Sequence, residues 1–258
     1  MRLHRPNSKM LISRYHISVD SGQQGGELMG SSSGQPITRV AVFDFDGTSI
    51  SGQSGALFTR YLLFRRLMSP PRALRLIWWG IRYKLHLPYR QDEARELVLG
   101  ALSEMSAPEV DELMVRFHDE VLRPRYRPQA LEELARCQGE GMVALLDSAT
   151  FDAMAAQAAR IMGFDGYAAT RMVRDAQGNY TGAVDGPVVA GAEKYRAVVR
   201  WCDQHLGEGA WRLERAYGDH HTDKDLLSHA RVAVAVCPGK TLRVLAKRRG
   251  WTIADWDE

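Results

Sequence analysis

What the sequence lacks narrows it first. No run of about 20 uncharged apolar residues occurs, so no membrane-spanning helix is expected. Cysteines are few: Cys137, Cys202 and Cys237 stand far apart, with no CxxC or Cys/His metal spacing, which suits a reducing, cytoplasmic setting. Excess charge is nearly absent. The chain has 34 Lys/Arg against 31 Asp/Glu, a net charge of +3, so there is no global nucleic-acid signature and no nucleic-acid partner is expected. The first 36 residues, which include SGQQGGELMGSSSGQP, lack an apolar core long enough for a secretory signal. They read as a disordered leader at 1–36, with Met29 as a second candidate initiator. Finally, no acidic residue lies between Gly47 and Gln91, and the meaning of that gap depends on what surrounds it.

What is present begins with VAVFDFDGTSI at 40–50. Val40 and Val42 belong to an apolar run suited to a strand buried on both faces. Gly47 ends it, and Asp44 and Asp46 sit at its tip. Ligands of open α/β sheets bind outside the carboxyl ends of the strands, so both aspartates are placed where chemistry usually occurs.

Strand patterns recur at 37–46, 141–148, 211–219, 231–238 and 251–256. Helical patterns at 152–163, 193–206 and 222–230 separate most of them. This alternation predicts a parallel sheet with crossover helices. The rhythm breaks between about 50 and 140, where helical patterns replace strands, and a helical insertion after the first strand is the simplest account. NYTGAVDGP (179–187) reads as a hairpin or turn.

Three of these strand ends carry polar residues that can meet at one crevice. They are Asp44, Asp46 and Thr48, then Ser148 in LLDSAT, then Asp219 and Asp223 in YGDHHTD. Lys194 stands at the start of a helix between the last two. Carboxylates without a Cys or His cluster favour a hard cation, Mg²⁺ where phosphate is the substrate. Phosphoryl transfer needs such a set. A carboxylate attacks phosphorus, cationic groups neutralise the oxygens, and a second acid serves the leaving alcohol. Asp44 is placed for the first role and Asp46, two residues on, for the last.

DFDGT, SAT, the isolated lysine and GDHHTD resemble, in order, the four motifs of the haloacid dehalogenase superfamily. The Gly-rich GNYTGAVDGPVVAGAEK and the ending CPGKTLRVLAKRRGWTI resemble its phosphoserine-phosphatase-like branch (subfamily IB). The resemblance spans residues 38–256 and implies a Rossmann-like α/β core with a parallel sheet, formed by 37–50 and 141–258. It also implies a helical cap at 51–140. It implies a Mg²⁺-dependent phosphomonoesterase acting through an aspartyl-phosphate. Asp44 would be nucleophile and metal ligand, and Asp46 general acid/base and metal ligand through its backbone carbonyl. Thr48 would orient the carboxylates and join Ser148 and Lys194 in the phosphate-binding set. Asp219 would complete the metal site and Asp223 would support it. The implied substrate is a phosphorylated small metabolite or a lipid phosphate such as phosphatidylglycerophosphate. The alternatives are a catalytically weak relative that binds a phosphorylated ligand or partner, and a dehalogenase, which would have no use for Asp46. Two positions depart from the branch: His220 stands where Ser or Asn is frequent, and Gln53 where a glutamate holds the substrate ammonium of phosphoserine phosphatases.

The acid-free stretch carries Arg60, Arg65, Arg66, Arg72, Arg75, Arg82, Lys84 and Arg90. At helical spacing Leu74, Ile77, Trp78, Ile81 and Leu85 share one face, with Arg75, Trp79, Arg82 and His86 on the other. Two readings stand: a cap helix packing its apolar face on its neighbours, or a basic amphipathic helix in peripheral contact with an anionic membrane.

Overall fold

A computed structural model describes residues 37–85, 88 and 91–256; the leader at 1–36, His86 and Arg90 lie outside them. Seven strands form one sheet: β1 (Thr38–Asp44), β2 (Val143–Phe151), β3 (Gly166–Arg174), β4 (Tyr180–Asp185), β5 (Trp211–Gly218), β6 (Val232–Val236) and β7 (Thr252–Ala254). Their order is β4-β3-β2-β1-β5-β6-β7. All neighbours run parallel except β3 and β4, which form the hairpin expected around NYTGAVDGP. The α/β class and its parallel sheet are therefore as the strand–helix alternation predicts.

The central strand shows why. Along β1, Val40 and Val42 face one apolar cluster while Ala41 and Phe43 face the other. The first cluster takes in Ala197, Val198 and Cys202 of α7 (Ala192–Leu206), Leu226 and Leu227 of α8 (Lys224–His229), and Leu242 and Ala246 of α9 (Lys240–Arg249). The second takes in Leu134 and Cys137 of α5 (Pro128–Gly139) and Met154 and Ala158 of α6 (Asp152–Met162). A strand covered on both faces needs apolar residues throughout, which is why β1 reads as an unbroken run.

One strand has no strong signature in the sequence. β3 contains GYAATRMVR, whose alanines and arginines give little β signal. Its pairing with β2 and the close approach of α7 make it a strand. A Cβ on Gly166 would lie 2.3 Å from the Trp201 ring, so only glycine permits that packing.

Between β1 and β2 the chain is helical: α1 (Ser54–Phe64), α2 (Pro70–Lys84), α3 (Gln91–Leu102), α4 (Ala107–Phe117), a π-helical turn at His118–Leu122, and α5. The expected helical insertion is present, and α5 packs against β2. The described residues belong to one compact unit.

The orientation of α2 differs from the packed-face reading. Leu76 is buried, and Ala73 packs against the core. The stripe of Leu74, Ile77, Trp78, Ile81 and Leu85 faces outward, between 42% and 67% exposed. Arg82 is half-buried and pairs with Glu93 of α3, and Arg72 pairs with Glu104 at 3.0 Å. These ion pairs and the small residues Ala73 and Gly80 turn the less apolar side inward. Among the described residues nothing covers the stripe.

Candidate active site

β2 and β5 flank β1 on opposite sides, so chain order reverses direction at the end of β1 and opens a crevice there. Asp44 is the last residue of β1 and is buried. Beyond it the chain turns at Gly47 (φ +79°), where an added Cβ would lie 2.2 Å from Asp219 Oδ2. Glycine is thus required twice, by its dihedral and by the approach of a carboxylate. Ser49 Oγ donates to Asp44 O (2.7 Å), and the buried Arg127 donates through Nη2 to Gly47 O (3.3 Å), fixing the turn.

Five predicted residues converge: Asp44, Thr48, Lys194, Asp219 and Asp223. Lys194 Nζ donates to Asp44 Oδ1 at 2.6 Å and to Asp223 Oδ1 at 2.7 Å. Thr48 Oγ1 donates to Asp44 Oδ2 at 3.3 Å. Asp219, just past β5, completes a group with Asp44 and Asp223 in which one carboxylate oxygen from each lies within 4.8 Å of the others. Asp46 stands apart from that group. Its Oδ1 accepts from Ser54 N (2.6 Å) and its Oδ2 from Ser54 Oγ (3.0 Å). Ser148 is buried at the same edge, its Oγ accepting from Thr150 N at 3.1 Å.

The electrostatics follow from burial. Desolvation raises Asp44 well above the ordinary carboxylate range; Lys194 opposes it, and Asp223 and Asp219 add to it. Burial raises Asp46 as well, against the two bonds from Ser54. Asp219 is pushed up to about 6 by burial and then by Asp223. Burial by itself would lower Lys194, but Asp44, Asp223 and Asp147 outweigh it and keep the ammonium protonated.

Three participants escaped the sequence reading. Asp147 is fully buried and pairs in register with Asp44 across β1 and β2. Its Oδ2 lies 3.7 Å from Lys194 Nζ, an ion pair beyond hydrogen-bond length. Burial pushes it up to about 7, against the pull of Lys194. A second aspartate at a strand end, directly before Ser148, was the available signal. Ser54 and Arg127 had none, because only the turn geometry brings them to Asp46 and Gly47. His220 has a backbone role: its N–H donates to Asp223 Oδ2 at 3.0 Å, while its ring meets Thr222 Oγ1. The orienting bond does not depend on its side chain.

A cavity of about 940 Å³ adjoins the crevice, lined by Asp46, Gln53, Phe58, Leu76, Leu99 and Phe151 among others. Among the described residues no helix is long and apolar enough to cross a membrane.

Fold and site together define an α/β enzyme of the doubly wound kind, with an oxygen-rich centre at its switch point. The family model for haloacid dehalogenase-like hydrolases matches residues 41–228, and the chain belongs to that family. A phosphoserine phosphatase of Mycobacterium tuberculosis is 29% identical over 225 residues, covering 85% of this chain and 71% of that one. A solved protein of unknown function from Bordetella pertussis superposes with a TM-score of 0.75 at 27% identity, covering 85% of this chain and 99% of the other. A phosphoserine phosphatase solved as a phospho-aspartyl intermediate analogue has the same fold. Its TM-score is 0.54 at 17% identity, and the match covers 86% of this chain and 95% of the other. Within the family, the likeness runs to the phosphoserine-phosphatase-like branch.

Proposed function

We propose that this enzyme is a Mg²⁺-dependent phosphomonoesterase that works through an aspartyl-phosphate on Asp44. The observation that carries the reading is the division of labour between two acids. Asp44 lies against Lys194, Asp219 and Asp223, while Asp46, two residues on, is held apart by Ser54.

The donor set fits the metal. Asp44, Asp219 and Asp223 offer only hard oxygen atoms, one from each within 4.8 Å of the others, as Mg²⁺ prefers. Burial raises both Asp44 and Asp219, with Asp223 adding to each, and a bound cation would favour their charged forms. The backbone carbonyl of Asp46 is the further ligand in this reading. When bound, Mg²⁺ neutralises phosphoryl oxygens and favours attack by an anionic nucleophile.

The chain supplies the rest. An Asp44 oxygen bonds to phosphorus as the ester P–O bond breaks, and Asp46 gives its proton to the departing alcohol oxygen. Burial raises Asp46, which suits it to carry that proton. Asp46 then takes a proton from water, whose oxygen attacks phosphorus, releasing phosphate and restoring Asp44. Lys194 and Ser148 hold the phosphoryl group, Thr48 orients Asp44, and Asp223 supports Asp219 and Lys194. In this reading residues 51–140 form the cap region over a core of 37–50 and 141–258, with its last helix, α5, packed on β2 of that core. The named relatives support a phosphorylated small molecule as the substrate, with a lipid phosphate as the other candidate. The outward stripe of α2 in an acid-free, basic segment fits peripheral contact with an anionic membrane.

Phosphate release from para-nitrophenyl phosphate, with Mg²⁺ and after EDTA, tests the reading. Turnover with metal and its loss on chelation are expected. No turnover under any metal condition would leave a ligand-binding relative, and full turnover in EDTA would remove the metal.

A further inference from the structure

The leaving-group side of the site is a mainly apolar cavity whose charged lining residues are Asp46, Arg60 and Arg95. The cavity that reaches Asp46 has a volume of about 940 Å³. That is near the upper end for pockets that enclose drug-sized ligands, roughly 300–1,000 Å³. Its walls are mainly apolar, with Phe58 and Leu63 of α1, Leu76 of α2, Val98 and Leu99 of α3, and Phe151 at the end of β2. Of the described lining residues only Asp46 carries a carboxylate, and Gln53 beside it is uncharged. A substrate ammonium would therefore meet no counter-charge except the catalytic acid. The rim is apolar too. Phe64 and Ile77 both line the cavity and stand 73% and 48% exposed, and Ile77 belongs to the outward stripe of α2.

We propose that the substrate is an amphiphilic phosphate monoester whose leaving alcohol carries a large apolar group, and that this group occupies the cavity between α1, α2, α3 and the end of β2. The proposal rests on the phosphomonoesterase reading above and leaves its balance unchanged: ester plus water gives the apolar alcohol and phosphate. Burial of each methylene removes apolar surface from water, so the transition state for a longer ester gains what a short or zwitterionic one cannot.

The test is kcat/KM with Mg²⁺ for n-alkyl phosphates from ethyl to decyl, kept monomeric, alongside phosphoserine and para-nitrophenyl phosphate. The expected result is a rise of about fourfold per methylene until the cavity fills, with phosphoserine near the ethyl ester. Gly80 lines the cavity, and a Cβ there meets nothing within 4 Å, so Gly80→Leu projects into open space, and helix propensity favours the change. Gly80→Leu should lower the decyl-to-ethyl ratio of kcat/KM tenfold or more, with a thermal melt confirming the fold. Ala56→Trp, at a second wall position, should do the same. Rates independent of chain length, or phosphoserine turned over faster than the decyl ester, would overturn the substrate class while para-nitrophenyl phosphate turnover upheld the chemistry. If no ester reacts, the phosphomonoesterase reading falls, and this proposal with it. Decyl phosphate carried in phosphatidylcholine vesicles separates the sources. Faster turnover from the vesicle points to a membrane lipid, and faster turnover of the monomer to a soluble amphiphile; both support the class.

Discussion

Asp44 and Asp147 lie side by side in register on adjacent parallel strands, and one buried ammonium, that of Lys194, faces both, at 2.6 Å and 3.7 Å. Two carboxylates and a lysine buried together are costly to desolvate, and removing either charge type leaves the other uncompensated. The first expectations follow from that arrangement.

Asp44→Asn removes the nucleophile but keeps the shape of the β1 end. Turnover of para-nitrophenyl phosphate should fall by ~10³-fold or more while circular dichroism stays native. Near-normal turnover would rule out a covalent step at this residue.

Asp147 governs stability in neutral solution. Its folded pKa of about 7 lies above the unfolded value of about 3.9, so the folded state prefers its protonated form. Its contribution is fully present below the unfolded pKa and is lost as pH rises through about 7. Asp147→Asn should therefore gain stability relative to the parent as pH rises from 4 to 8. Melting temperatures of the two proteins, without metal, across that range check the sign.

Ser54 sets the acidity of Asp46 through two hydrogen bonds that oppose the effect of burial. Ser54→Ala removes the hydroxyl donor and should raise Asp46 further. Asp46 must be protonated to serve the leaving alcohol, so the fall of kcat on the alkaline side should move to higher pH. A net hydrogen bond to a charged group is worth about 1.5–3 kcal/mol, which corresponds to a shift of about one to two pH units. A profile that scales down without moving would make Ser54 merely structural.

Mg²⁺ should stabilise the folded chain apart from any catalysis. Binding to the native state at 100 times Kd adds ~2.7 kcal/mol. For a chain this long that raises Tm by roughly 5–10 °C. The shift should vanish in Asp219→Asn, since Asp219 is one of three clustered carboxylates. An equal shift in that variant would place the ion elsewhere.

The outward stripe of α2 should mediate binding to vesicles rich in phosphatidylglycerol. Trp78 is 55% exposed and Leu74 67%, so Leu74→Ser with Trp78→Ser should weaken binding about tenfold or more with little change in Tm. Binding should also fade as salt rises, because attraction to the leaflet is screened beyond about 8 Å at physiological ionic strength. A parent protein that ignores such vesicles at low salt would end the membrane reading.

Much of the core was legible in the residues alone. Strands β1, β2 and β6 are parallel and mostly buried, which favours apolar runs, while β5 mixes Arg212, Glu214 and Arg215 into its pattern; Asp44 and Asp219 stand at the ends of β1 and β5, and Ser148 follows the apolar part of β2. Local signals were enough because strand period, turn glycines and motif spacing act over a few residues. The tertiary structure decided what depends on distant neighbours. β3 is a strand because β2 and β4 pair with it and Trp201 packs over Gly166. The register of β1 against β2 brings Asp147 into the site. The apolar stripe of α2 turned outward although its periodicity suits a packed face. Periodicity reports that a helix has two sides, and only the ion pairs to Glu93 and Glu104 and the cavity behind Leu76 determine which side meets the protein.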